Sequence, residues 1–135
     1  MMTERHLTGR PAAPGFALGA LVVLDGSPER RRVSTGDPER EAAALRVALA
    51  AALDDVARLM AGAEGEAAEI LGFQVALLED DALSEGAFAA ITEGEAADAA
   101  WTEALAGEIA GYENAEDEYF RARAADLIDV RDRVL

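Results

Sequence analysis

A mainly α-helical fold is predicted for this chain: an antiparallel bundle of four main helices and a short fifth, preceded by one orphan β-strand. Three observations lead there. From Asp37 to the last residue, apolar positions recur at three- and four-residue steps, the spacing of one helix face. Before that, "ALVVL" is β-prone and apolar on both faces, as a strand inside a sheet is. Finally, hydrophobic residues make up 51% of the 135 positions, but many are alanine, which suits a thin core between closely approaching helices. The chain divides into a strand-bearing piece, residues 1–36, and a helical subdomain, residues 37–135.

In order, Pro14-Gly15 punctuates a turn, and the strand follows from about Ala17 to Leu24. Arg32-Val33-Ser34 is the only weak candidate for a second strand. A lone buried strand leaves backbone N–H and C=O groups unpaired, so its partner strands are expected outside these residues. Asp37-Pro38 reads as an N-cap with proline at the first helical position. Leu45, Leu49, Leu53, Val56 and Met60 then mark one helix face, which Ala61-Gly62 ends. A second helix is expected from Glu64 to Asp80, with acids in its first turn where the helix dipole favours them. It carries two apolar stripes, Ile70-Phe73-Leu77 and Leu71-Val75-Leu78. Ser84 is expected to cap a short helix through Ile91, and Asp98 the next, with Trp101, Leu105 and Ile109. Asn114 is expected to open the last helix, through about Val134. The expected core is Leu45, Leu49, Leu53, Val56, Ile70, Phe73, Trp101, Leu105 and Leu127.

Composition excludes much chemistry. There is no cysteine, hence no disulfide or thiolate site. His6 is the sole histidine and lies in a start expected to be disordered, so Ser-His catalysis and carboxylate–histidine di-metal bundles are not expected. The acidic clusters "EGEAAE", "LLEDDAL" and "ENAEDE" invite a metal reading, but "EDDALSEGAF" lacks the ligand spacing of a calcium loop, so no metal is expected, and no Gly-rich phosphate loop is present. The start has no signal-peptide core and no apolar run reaches a membrane span, so a cytoplasmic location is expected.

Charge points to a partner. The formal net charge is −15, and all 12 basic residues are arginine. Between Leu59 and Phe120 there are 16 Asp and Glu and no Arg. Such a field disfavours nucleic acid and anionic membrane and attracts a basic protein. Against it stands "DEYFRARAADLIDV", with two large aromatics beside arginines. On a helix, Tyr119, Arg123 and Leu127 share one face, and Phe120, Ala124 and Ile128 another. The second helix is likewise oily around most of its circumference and ends in "LLEDDAL". An apolar centre with a charged rim is interface anatomy. The two helices together are expected to form a groove for a partner.

Three ordered blocks, "AAPGFALGALVVL", "ILGFQVALLEDDAL" and "DEYFRARAADLIDVRDRVL", resemble the N-terminal region of the Enzyme I family, the phosphoenolpyruvate–protein phosphotransferases of the bacterial sugar phosphotransferase system. They span about 120 residues of the chain. "RAADLIDVRDRVL" is the most specific, similar to the family's Arg-Ala-Ala-Asp-[hydrophobic]-x-Asp-[hydrophobic]-x-x-Arg run. Ala13 stands where the family usually has serine, and Gln74 where it often has histidine.

The resemblance implies an architecture in which an α/β domain starts with a strand, accepts a helical insertion, and resumes. The helical subdomain docks the phosphocarrier HPr. The resumed part carries the phosphorylated histidine in a Gly-Gly-x-x-(Ser/Thr)-His motif, which His6 does not match. A C-terminal barrel binds phosphoenolpyruvate and Mg²⁺ and makes the parent a homodimer. This chain would then have no catalytic residue, metal or cofactor of its own. Carried over block by block, the partner-binding set is Glu66, Leu77, Asp80, Asp81, Leu83, Tyr119, Phe120 and Arg123. Alternatives are the Enzyme I-like segment of a dihydroxyacetone kinase phosphotransfer subunit, which the start at Met1 disfavours, and a non-catalytic acidic helical adaptor.

Overall fold

Asp37 begins the helical part as its sequence predicts: its side chain accepts the amides of Glu39 and Arg40, and Pro38 follows at the first helical position. The computed structural model describes residues 6, 8–10, 13–16, 18–20 and 33–135. Five helices run in order, α1 Pro38–Ala61, α2 Glu66–Glu79, α3 Asp81–Thr92, α4 Ala97–Glu113 and α5 Glu118–Val134. No strand is present among the described residues. The expected strand at 17–24 falls mostly outside them, and residues 18–20 carry no regular structure.

α2 begins two residues later and ends one residue earlier than the expected Glu64 to Asp80, and three further helix starts differ from expectation. Ser84 lies inside α3 and donates to the Asp81 carbonyl (3.2 Å), while Asp80 is the cap, accepting the Ala82 amide at 2.9 Å. Asp98 lies in the first turn of α4, whose N-cap is Ala96. Asn114 ends α4 instead of opening α5, and Asp117 caps α5 by accepting the Tyr119 amide. In each case a residue with capping chemistry stands near the true boundary, but a better-placed acceptor or a tertiary partner takes the role. The α3–α4 turn closes with Gly94 at φ +107°, a backbone region that side chains disfavour. Glu95 N–H reaches the Ala90 carbonyl and Gly94 N–H the Ile91 carbonyl, the pair of bonds of a Schellman ending.

Leu45, Val56, Trp101, Leu105 and Leu127 are buried as expected, each at most 2% exposed. Ile91, Val130 and several alanines complete the core. Leu49 packs against it from the margin. Leu53, Ile70 and Phe73 are only half-buried, because α2 rests on α1 and α5 at the edge of the bundle. α4 and α5 run antiparallel. The Trp101 indole N–H, near the start of α4, donates to the Arg131 carbonyl near the end of α5 (3.1 Å), and Tyr112 at the end of α4 meets Phe120 at the start of α5. A buried indole needs such a partner.

Glu41 ties the assembly at one end. It is 9% exposed, and its two oxygens accept the Thr35 and Ala97 amides, both at 2.8 Å. The second bond caps α4 from a helix 56 positions away, where Ala96 offers no side-chain acceptor.

Candidate docking face

Two helices bring the aromatic cluster together. Asp117 starts α5, so Tyr119, Phe120 and Arg123 fall within its first two turns. Four residues apart, Tyr119 and Arg123 share a face, and the Arg123 guanidinium lies 4.8 Å from the Tyr119 ring centroid. From α2, the Phe73 ring centroid also lies 5.0 Å from this guanidinium. Arg123 also pairs with Asp126 through Nη1 at 2.9 Å, with side chains 22% and 12% exposed. Its Nε is buried with no hydrogen-bond partner. Tyr119 meets Phe120 edge to face, centroids 5.6 Å apart, and both rings remain open, at 61% and 47% exposure.

The rim is acidic. Asp80 is the sole residue between α2 and α3, extended at φ −79° and ψ 106°, and serves both helices as a cap. This break turns the chain so that Glu79, Asp80, Asp81 and Glu85 are all exposed. Glu66 and Glu69 are exposed in the first turn of α2. None of these acids forms an ion pair with a described residue. Leu77 and Leu83 are half-buried, packed against the core from the ends of the same two helices.

Of the eight residues expected to bind a partner, Tyr119 thus touches both Phe120 and Arg123. Glu66, Asp80 and Asp81 are exposed acids of α2 and α3, and Leu77 and Leu83 are apolar side chains of those helices with part of their surface open. Sequence reading missed two neighbours. Tyr112 of α4 lies 6.3 Å, centroid to centroid, from Phe120. The two line an open depression of about 420 Å³ with Gly107, Glu108, Gly111 and Ala115. Gly107 and Gly111, four apart on α4, leave that face bare, and this spacing was the available signal. Phe73 is the other, placed in the core by its stripe but found against Arg123. Among the described residues no three carboxylates or histidines converge as metal ligands would.

The model of the PEP-utilising enzyme N-terminal family matches residues 8–123, which include α1 to α4 and all eight residues expected to bind a partner. The chain belongs to that family. Within it, the chain is 32% identical over 137 aligned positions to the phosphoenolpyruvate-protein phosphotransferase of Streptomyces coelicolor, a match covering 98% of this chain and 24% of the relative. It is also similar in structure to the N-terminal domain of Enzyme 1 – Nitrogen, with a TM-score of 0.70 at 30% identity over 76% of this chain and 44% of that one. A solution structure of Enzyme I (nEIt) gives 0.66 at 30% identity, over 72% and 41%. The resemblance read from the three blocks is therefore borne out. This PEP-utilising N-terminal chain spans about a quarter of the length of the curated relative it matches. No helix among the described residues is long and apolar enough to cross a membrane.

Proposed function

We propose that this chain is the carrier-docking part of a phosphoenolpyruvate–protein phosphotransferase, and that the face between α2, α3 and α5 receives HPr. The observation that carries the reading is the open Tyr119–Phe120 pair of α5, together with the exposed acids of α2 and α3 that form no ion pair with a described residue, within a family-matched bundle. A small protein with an apolar patch and a basic rim around its own histidine complements both features. Apolar contact slows dissociation, and rim charge speeds encounter.

Phosphoryl transfer depends on positioning and on stabilising charge. In the parent, the phosphoryl group would pass from phosphoenolpyruvate to a histidine in a segment beyond this chain, then to HPr, with Mg²⁺ held by the parent's C-terminal part. The helices would contribute positioning only. Residues 1–36 would supply the first strand of the histidine-bearing α/β domain, and residues 37–135 the docking subdomain. No step is assigned here to a metal or to His6, which stands between Arg5 and Leu7 outside any phosphohistidine motif.

Titration calorimetry of the full chain with HPr, repeated at several salt concentrations, tests the reading. Saturable one-to-one binding that weakens as salt rises is expected. Absence of binding at low salt, or binding indifferent to salt, would refute it.

A further inference from the structure

α1 turns a different kind of surface to solvent. Its buried side holds Leu45, Ala52 and Val56. Its open side is unlike the rest of this acidic chain, because residues 42–53 contain no Asp or Glu and one arginine, Arg46. The Arg46 guanidinium lies 5.2 Å from the Phe88 ring centroid, so this charge leans toward α3. Val47 stands open at 70% exposure, with Ala43, Ala44, Ala50 and Ala51 exposed around it. Arg40 and Asp54 lie seven residues before and after Val47, a spacing that brings all three onto one stripe of the helix. Both are exposed. Arg40 has no ion pair with a described residue, and Asp54 pairs with Arg58 of its own helix at 2.8 Å.

We infer that this face of α1 receives the same face of a second copy of the chain, antiparallel, about a two-fold axis at Val47. In that register Val47 meets Val47, and Ala43 and Ala44 meet Ala51 and Ala50. Arg40 of each copy meets Asp54 of the other, so the same ion pair forms twice. The face is complementary to itself, as a two-fold contact requires. Small side chains let the two helix axes approach closely. The charge pattern selects this occupant. Two chains of net charge −15 repel wherever their acidic surfaces meet, and this stretch of helix sets no carboxylate against a carboxylate. A basic protein is drawn to acids that this face lacks, and nucleic acid finds little positive charge on it. The inference does not rest on the docking reading, which concerns α2, α3 and α5.

A valine and four alanines bury far less than the roughly 1,200–2,000 Å² of a stable complex, so the contact is weak. Sedimentation equilibrium of the full chain alone, up to about 1 mM in about 0.15 M salt, tests it. A monomer–dimer equilibrium is expected, and a purely monomeric chain would overturn the inference. Val47→Arg lowers the net negative charge yet sets two cations on the axis. It should abolish the dimer, and a dimer that survives it lies on another face and overturns the inference. Arg40→Asp and Asp54→Arg should each weaken dimerisation about fivefold, the scale of two exposed ion pairs. The double swap, with the wild-type net charge, should restore it. Tighter association of Asp54→Arg would show that net charge alone governs, and would overturn the register. All three positions are exposed, so circular dichroism should report an unchanged fold. The chain has no cysteine, so a spin label on Asp55→Cys is unique. It should broaden the amides around Arg40 of an unlabelled, nitrogen-15 copy. Broadening around Asp55 of that copy instead, or none, would overturn the antiparallel pair even if a charge variant failed to fold.

Discussion

Glu41 and Ala97 lie 56 positions apart, and the Glu41 carboxylate accepts the Ala97 amide at 2.8 Å. Because the other oxygen accepts the Thr35 amide, this side chain holds the segment entering α1 and the start of α4 at once. Both donors are backbone N–H groups, so an acceptor-only side chain is needed. Glu41→Gln turns a donor toward one of them, and Glu41→Ala leaves both without this acceptor. We expect losses of about 1–3 kcal/mol in either variant, read from the midpoint of urea unfolding at unchanged slope. A midpoint equal to wild type would show that water satisfies these amides equally well.

Gly94 holds φ +107° at the end of α3. Nothing lies within 4 Å of an added Cβ there, so the cost of Gly94→Ala is conformational and not steric against neighbours. A loss of about 1–2 kcal/mol is expected in thermal unfolding. Gly107→Ala on α4 meets equally open space without that backbone constraint, and should raise stability by about 0.5–1 kcal/mol.

The helical frame was largely legible in sequence, while the site was legible only in part. Asp37-Pro38 announces α1 because the cap and the fixed proline φ act locally. The start of α4 carries no such mark: Ala96 cannot cap, and the acceptor arrives from Glu41. Asp98 and Asn114 have capping side chains yet sit inside or after α4, since cap preference is necessary to neither position. Phe73 fits a helix stripe perfectly well with Ile70 and Leu77, but a stripe cannot report that its neighbour across the seam is a guanidinium. Tyr119 and Phe120 were legible as a pair because α5 had to present them on different faces.

Tyr119 and Phe120 separate binding from stability. Both are exposed, so Tyr119→Ala or Phe120→Ala should change unfolding free energy by no more than about 1 kcal/mol. Each should weaken HPr binding about tenfold or more, as aromatic anchors at interfaces do. Calorimetry and urea unfolding on the same samples check this. Large destabilisation with intact affinity would reassign the pair to the fold.

Asp80 offers a clean charge test because asparagine also caps helices. Asp80→Asn with Asp81→Asn should leave the α2–α3 break in place while lowering the association rate several-fold at low salt and flattening its salt dependence. Leu77→Ala should instead raise the dissociation rate. An Asp80/Asp81 variant with an unaltered association rate would place the encounter elsewhere on the surface.

The most direct measurement is a two-dimensional NMR titration of the uniformly labelled chain with HPr. Amide shifts are expected to concentrate at the end of α2, the start of α3 and the first two turns of α5, with Leu77, Asp81 and Phe120 among the largest. The α1 face around Val47, exposed and remote in sequence from all three, should stay unmoved. Shifts centred on α1, or none at concentrations well above those of calorimetry, would contradict the assignment of this bundle as a carrier-docking module.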